Sequence, residues 1–311
     1  MRRRMEGEGF LEVSTPTITR QDGGAEARPF TTSVWAMDHQ KQFLCIYPEL
    51  HLKGLVVANF EKVFTICQNF CNEGIDRSHN PEIIRMGWYE TFTNYEDQMR
   101  CFAELLAGVC VEACGLTSVD YQGKEIDYSI PSRRMSMLAA PRQYAGVDAE
   151  TMSGEELQQE IGRHTAEPPE LLSWGLAVPQ LFEATCEKHL VQPTFVLDHP
   201  LGISPLARAR RGDARLTKRF EVYVCGMELA NAYSKLTDPL EQLDRFLPQR
   251  RVQEEEAYPL DMDFVRALGC GMPPTGGVGL GIDRLVMLLP GAASIPDVIP
   301  FSHGQGAPAG H

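Results

Sequence analysis

Apolar residues recur along the chain in two periods, and the change of period marks its elements. Phe10–Thr15 alternates until Pro16 stops it, which predicts a short strand leaving a helix that ends near residue 9. Pro48 opens the apolar-periodic stretch Leu50–Phe60, at a place where proline suits a first helical turn. Val63–Phe70 and Ile83–Phe92 predict paired strands, joined by the polar segment Cys71–Pro81. Tyr95–Cys114 is the clearest helix, because Met99, Phe102, Leu105, Leu106 and Val109 fall near a 3.6-residue period. Residues 140–192 predict a polar, helical insertion. Short strands follow at Thr194–Leu197 and within Phe220–Tyr233, then helices over about 238–253 and 261–271. A glycine-rich loop, Gly276–Gly281, leads into a last apolar helix, Ile282–Leu289. The run Glu254–Glu256 reads as a solvated face, and residues 302–311 as a disordered tail. Strands broken by helices without regular alternation predict an α+β class, with a largely antiparallel sheet flanked by helices.

A length of 311 residues suits one large domain, or one domain with an insertion, and 43% hydrophobic residues is ordinary for a globular chain. No apolar run approaches the roughly 20 residues that a membrane span needs, and the basic start MRRRMEGEGF has no apolar stretch behind it to make a secretory signal. A net charge of −13 argues against gripping RNA with the whole surface, although Arg208, Arg210, Arg211 and Arg215 make a local basic patch. Nine cysteines without secretory context are read as thiols in a reducing cytosol, in preference to a zinc site at Cys67/Cys71 and Cys110/Cys114.

Three segments carry candidate chemistry. Thr275–Arg284 is neither a Walker loop nor a dinucleotide fingerprint, since Gly277, Gly279 and Gly281 are spaced two and two. Alternate glycines suit a strand that a flat ligand approaches, and Arg284 at the following helix start suits a phosphate; tight strand–helix packing accounts for the glycines equally well. Phe70–Glu82 places acids, His79 and Arg77 in one polar loop, where a triphosphate or plain solvent is a fitting neighbour. Glu221 and Glu228 flank a turn at Gly226, which suits Mg²⁺ on nucleotide phosphates or two exposed strand acids.

The order of these segments resembles the catalytic domain of class II aminoacyl-tRNA synthetases of the lysine, aspartate and asparagine group, most closely the lysyl type. Phe10-Leu-Glu-Val-Ser-Thr-Pro16 resembles motif 1, Phe70–Tyr89 motif 2, and Gly277–Arg284 motif 3. Gly23–Phe30, Pro48–Lys53, His199–Ala207 and Asn231-Ala-Tyr-Ser resemble lysyl-type signatures. The likeness runs from about residue 1 to about 301. It implies an antiparallel sheet, a cytoplasmic homodimer, ATP and Mg²⁺ as cofactors, an amino acid and tRNA as partners, and adenylation followed by transfer to a tRNA 3′ end. By the same resemblance, Arg284, Glu73 and His79 take catalytic positions. Gly23, Gly24, Glu49, Tyr89, Asn231, Tyr233 and Lys235 line the amino-acid pocket. Cys71, Glu73, His79, Ile83, Glu221, Gly281 and Arg284 surround ATP, and Glu221 and Glu228 hold the metal.

Some matched positions depart from that pattern. The α-phosphate arginine is Cys71, the adenine-stacking aromatic is Ile83, and two outer arginines are Cys45 and Gly54. A thiol cannot give a bidentate, charge-assisted contact. The two acids that face a substrate ammonium in the family are Gly87 and Lys235 here. No segment resembles the anticodon-binding β-barrel that lysyl enzymes carry before motif 1, either through truncation or because no anticodon is read. Three functions therefore stay open: a lysyl-type ligase, a paralogue acting on another small molecule or on a protein such as elongation factor P, and an inactive binding homologue.

Overall fold

The computed structural model describes residues 1–21, 27–77, 79–129, 132–166, 172–252 and 261–302. In chain order the elements are helix α1 (Arg2–Gly7), strands β1 (Leu11–Glu12), β2 (Ile18–Thr19), β3 (Thr31–Val34) and β4 (Gln40–Leu44), and helix α2 (Glu49–Val57). Strands β5 (Lys62–Phe70) and β6 (Glu82–Thr91) precede helix α3 (Tyr95–Cys114) and strands β7 (Ser118–Tyr121), β8 (Lys124–Asp127) and β9 (Arg133–Ser136). Helices α4 (Ala140–Ala145), α5 (Gly154–Ile161) and α6 (Trp174–Thr185) lead to strands β10 (Thr194–Leu197), β11 (Arg219–Val224) and β12 (Met227–Ser234). Helices α7 (Pro239–Val252) and α8 (Met262–Gly269), strand β13 (Thr275–Gly281) and helix α9 (Ile282–Leu288) complete the series.

An eight-stranded sheet in the order β1-β5-β6-β13-β12-β11-β10-β9 is the frame. Its inner pairs are antiparallel, while β1 on β5 and β9 on β10 are parallel. The sheet is therefore largely antiparallel, as the sequence pattern suggested, with parallel pairs at its two edges. Three-stranded (β2-β4-β3) and two-stranded (β7-β8) sheets stand apart.

One face of the large sheet is sealed by α3. Asn94 caps this helix, with Asp97 closing a reciprocal capping box, and Gly115 ends it at φ +74°. Met99, Phe102, Leu105, Leu106 and Cys110 lie at helical spacing and bury against Phe64, Trp88, Phe195 and Phe220. Phe102 stacks on Trp88 at 6.3 Å and meets Phe195 edge-on at 6.1 Å. Each such fully buried side chain contributes about 1.5–3 kcal/mol. Trp88 also donates its indole N–H to Gln98 at 2.8 Å, which satisfies a polar atom inside this core.

Three sequence expectations change here. The glycine-rich segment is a central strand, β13, because Val278 and Leu280 bury into the α3 core while Gly277, Gly279 and Gly281 face the other way. Pro48 is the N-cap of α2 and not its first helical residue. The 140–192 stretch is not simply polar: Leu157, Ile161, Ala177, Val178, Leu181 and Phe182 form a core of their own, closed against Val196 and Tyr223. Glu254–Glu256 and residues 303–311 lie outside the described residues. No helix among the described residues is long and apolar enough to cross a membrane.

Candidate active site

The sheet face opposite α3 carries the candidate residues in rows. Pairing aligns Arg219, Tyr233, Gly277 and Tyr89 across four strands, and beside them Glu221, Asn231, Gly279 and Gly87. Directly paired residues point to the same face. The glycines of β13 thus form a groove between flanking polar and aromatic side chains.

A β-bulge brings Glu228 onto this face. Val222 pairs with Ala230 but Tyr223 pairs with Glu228, so Leu229 is the extra residue in β12. Without it, Glu228 would alternate onto the core face. A two-residue turn, with Cys225 at φ +52° and Gly226 at φ +73°, joins the strands.

Glu221 is 7% exposed. It accepts hydrogen bonds from Arg219 Nη2 at 2.5 Å and from the Tyr223 hydroxyl at 2.8 Å, and His199 Nδ1 lies 3.9 Å away. Burial alone would raise its carboxyl, but His199, Arg219 and the Tyr223 hydroxyl outweigh burial and hold the pKa below the ordinary value. Glu228 goes the other way, pushed up to about 7 by burial and by the charge of Glu221. Glu187, just beyond α6, is pushed up to about 7 by burial and by Glu183, Glu228 and Glu221. Crowded carboxylates of this kind, with hard oxygen donors, fit a divalent cation that also meets phosphate oxygens. Among the described residues there is no cluster of three or more His, Cys, Asp or Glu placed to hold a metal by itself.

Arg284, in the first turn of α9, donates to the Glu228 carbonyl and lies 3.4 Å from His79 Nε2. Asp76 Oδ2 fixes the other ring nitrogen of His79 at 2.8 Å. The Asp283 carboxylate accepts from the Ile84 N–H at 2.7 Å, tying the start of α9 to β6.

At the other end of the groove, Glu49 begins α2 and is 1% exposed. Lys53, one turn later, pairs with it at 3.0 Å, the Tyr233 hydroxyl donates to it, and Lys235 Nζ reaches it at 3.3 Å. The Lys235 ammonium also sits 3.5 Å from the Tyr233 ring centroid and 4.4 Å from that of Tyr89. Burial works to raise the Glu49 carboxyl, but Lys235 and Lys53 outweigh it and lower its pKa. Burial depresses the Lys235 ammonium to about 7 against the opposing pull of Glu49.

Residues 1–305 match the family described as class II tRNA synthetases (D, K and N). The chain belongs to this family. Among its relatives, the lysine–tRNA ligase of Pelotomaculum thermopropionicum is 47% identical over 306 residues, 96% of this chain and 60% of that protein. The lysine–tRNA ligase of Methanoculleus marisnigri is 48% identical over 94% of this chain and 58% of its own length. That of Thermotoga maritima is 44% identical over 96% and 59%. The chain thus spans about 60% of the length of these relatives.

Within this class II synthetase frame, the expected residues fall into two groups. Arg284, His79, Glu221 and Glu228 gather at one end of the groove, and Glu49, Tyr89, Tyr233 and Lys235 at the other, with Asn231 between them. Gly281 ends β13, where an added Cβ would sit 3.9 Å from the Arg284 stem. Ile83 is half-buried on β6 opposite Asn69. Glu73 is exposed, and its charge is felt at Cys71. Burial raises the Cys71 thiol, against the charge of Arg85. Gly23 and Gly24 lie outside the described residues.

Sequence reasoning missed Arg219, Glu187, Asp76, Arg85 and Tyr47. Arg85 stands 5.8 Å from the Tyr47 ring, and its charge also acts on Cys71 and Glu228. Only Arg219, two residues before Glu221, carried a signal in the alternation of the strand.

Proposed function

We propose that this chain is the catalytic core of a lysine–tRNA ligase-type enzyme, which activates its amino acid with ATP and passes it to the 3′ end of a tRNA. The observation that carries the proposal is the division of one glycine-floored groove. Two mutually charged carboxylates and Arg284–His79 stand at one end, and a buried carboxylate between tyrosine rings at the other, in a chain 44–48% identical to lysine–tRNA ligases.

Glu221 and Glu228 would hold Mg²⁺, which supplies charge neutralisation at the nucleotide phosphates. Relief of the like-charge burden on Glu228 makes the pair fit such an ion. Arg219 and the Tyr223 hydroxyl fix Glu221 in place. Arg284 and His79, the latter oriented by Asp76, face the phosphates. Glu49 offers a carboxylate to an ammonium of the amino acid, whose own carboxylate attacks the α-phosphorus as the α–β phosphoanhydride bond breaks and pyrophosphate leaves. Cys71 contributes no positive charge to that step, so turnover is slow relative to a site with arginine there.

A homodimer, held in part by the segment around Leu11 and Ile18, each about half exposed, belongs to the same reading. ATP–pyrophosphate exchange with each amino acid tests it. Exchange that depends on Mg²⁺ and on saturating lysine is expected. Exchange with another amino acid only would overturn the lysine assignment, and ATP bound without any exchange would replace catalysis with a binding role.

A further inference from the structure

Among the described residues, Glu49 is the one carboxylate within reach of the groups that meet at the amino-acid end of the groove, and two lysines of the chain already use it. Lys53 Nζ lies 3.0 Å from Oε1 and Lys235 Nζ 3.3 Å from Oε2, with side-chain exposures of 0% and 2%. Lys53 alone neutralises Glu49, and as the i+4 partner it needs no rearrangement to do so. Lys235 is therefore surplus to the neutralisation of Glu49, and below its depressed pKa of about 7 it is a second buried cation. Its burial is supported by the faces of Tyr89 and Tyr233, the kind of aromatic setting in which ligand ammonium groups are held.

The backbone makes room for this side chain. A Cβ at Gly277 would lie 2.7 Å from Lys235 Cε and 3.0 Å from the Tyr89 ring. Nearby, Asn231 Oδ1 is buried and has no hydrogen-bond partner among the described residues, which leaves an acceptor facing the same groove. The slot thus has the parts of an ammonium site, and a lysine of the chain itself is in it.

We propose that Lys235 is a built-in occupant of the amino-acid pocket, whose ammonium must leave Glu49 and the two tyrosine rings before a ligand ammonium can take that place. This rests on the amino-acid-activating reading of the site. A third ammonium beside Lys53 and Lys235 would meet two like charges and one carboxylate, so free lysine binds weakly until Lys235 is displaced.

Equilibrium dialysis of the full chain with L-lysine, for the native protein and Lys235→Ala, tests the proposal, with Mg–ATP binding measured on both. The alanine variant is expected to bind lysine about tenfold or more tightly than the native chain, with ATP affinity unchanged, because a like charge has gone and a volume has opened. Lys235→Met keeps the volume and removes only the charge, and it too gains affinity; it decides the matter if the alanine variant lacks the native near-UV circular dichroism. Equal lysine affinity in the native chain and a folded variant overturns the proposal. So does binding of L-aspartate or L-glutamate that Lys235→Ala abolishes, since Lys235 would then read an anionic ligand. Failure of the native chain to bind Mg–ATP overturns the activating reading itself, whatever the lysine result.

Discussion

Replacing Glu49 by glutamine would leave two buried lysines without a counter-charge among the described residues. Lys53 and Lys235 lie 3.0 and 3.3 Å from this carboxylate, both shielded from water. Removing one partner of a buried ion pair costs roughly 3–5 kcal/mol; Lys235, depressed to about 7, is half neutral at pH 7, so the loss falls mainly on the Lys53 pair. For a chain of 311 residues the loss corresponds to a fall in melting temperature of roughly 5–8 °C. Urea unfolding, followed by the fluorescence of buried Trp88, measures it. The pH dependence gives an independent check. The folded pKa of Glu49 is below its ordinary 4.5, so the stability it provides is present above that value and is lost as pH falls through the folded pKa. Lys235 is depressed from 10.5 to about 7, so between those values the unfolded chain holds more protons and stability rises with pH. The deficit of Glu49→Gln should therefore shrink as pH rises toward 10, and Lys235→Met added to it should restore at least about 1 kcal/mol. A loss below about 1 kcal/mol at pH 7, or a deficit that does not change with pH, would refute this account of the pocket.

Further outcomes follow from the same geometry. Cys71→Arg tests the proposed α-phosphate position: a guanidinium there should raise the rate of ATP–pyrophosphate exchange by roughly 100-fold, the scale seen when one transition-state donor is gained or lost; no gain would show that this position does not reach the phosphate. Glu228→Gln removes the like charge facing Glu221, so thermal stability without metal should hold or rise, while about tenfold more Mg²⁺ is needed for ATP binding in a metal titration. Trp88→Phe strands the Gln98 carboxamide that accepts the indole N–H at 2.8 Å, and should cost about 1–3 kcal/mol in urea unfolding without changing Mg–ATP affinity.

The elements that sequence made legible were those whose period matched their burial. Helix α3 has one apolar stripe, a capping asparagine and a terminal glycine, and its predicted limits, Tyr95 and Cys114, coincide with the observed ones. Strands β5 and β6 likewise follow their apolar runs. Strands β3 and β4 left little apolar trace: β3 has no buried residue and β4 has one. The pairing of β9 with β10 depends on chain returning across α4–α6, which no local pattern encodes. At the site, residue types marked Glu221, Glu228 and Arg284, but parity alone would have put Glu228 on the wrong face. The single extra residue Leu229 corrects it, and a bulge has no signature in the alternation of Met227–Ser234.

The departures from the family pattern at Gly87 and Lys235 are tied together by what fills the groove. A Cβ at Gly87 would lie 3.0 Å from the Tyr47 hydroxyl and 3.2 Å from Leu52, and one at Gly279 would lie 2.6 Å from the same hydroxyl. Tyr47 thus occupies the space above both glycines, as Lys235 occupies the space above Gly277. A carboxylate restored at position 87 alone would have to displace Tyr47, and it would still face an ammonium already seated on Glu49. A carboxylate restored at position 235 alone would leave Lys53 to neutralise Glu49 and would open the slot between the Tyr89 and Tyr233 rings. On the proposed lysine-binding reading, opening this pocket has an order: position 235 comes first because its side chain fills the slot, and position 87 can follow only with a change at Tyr47.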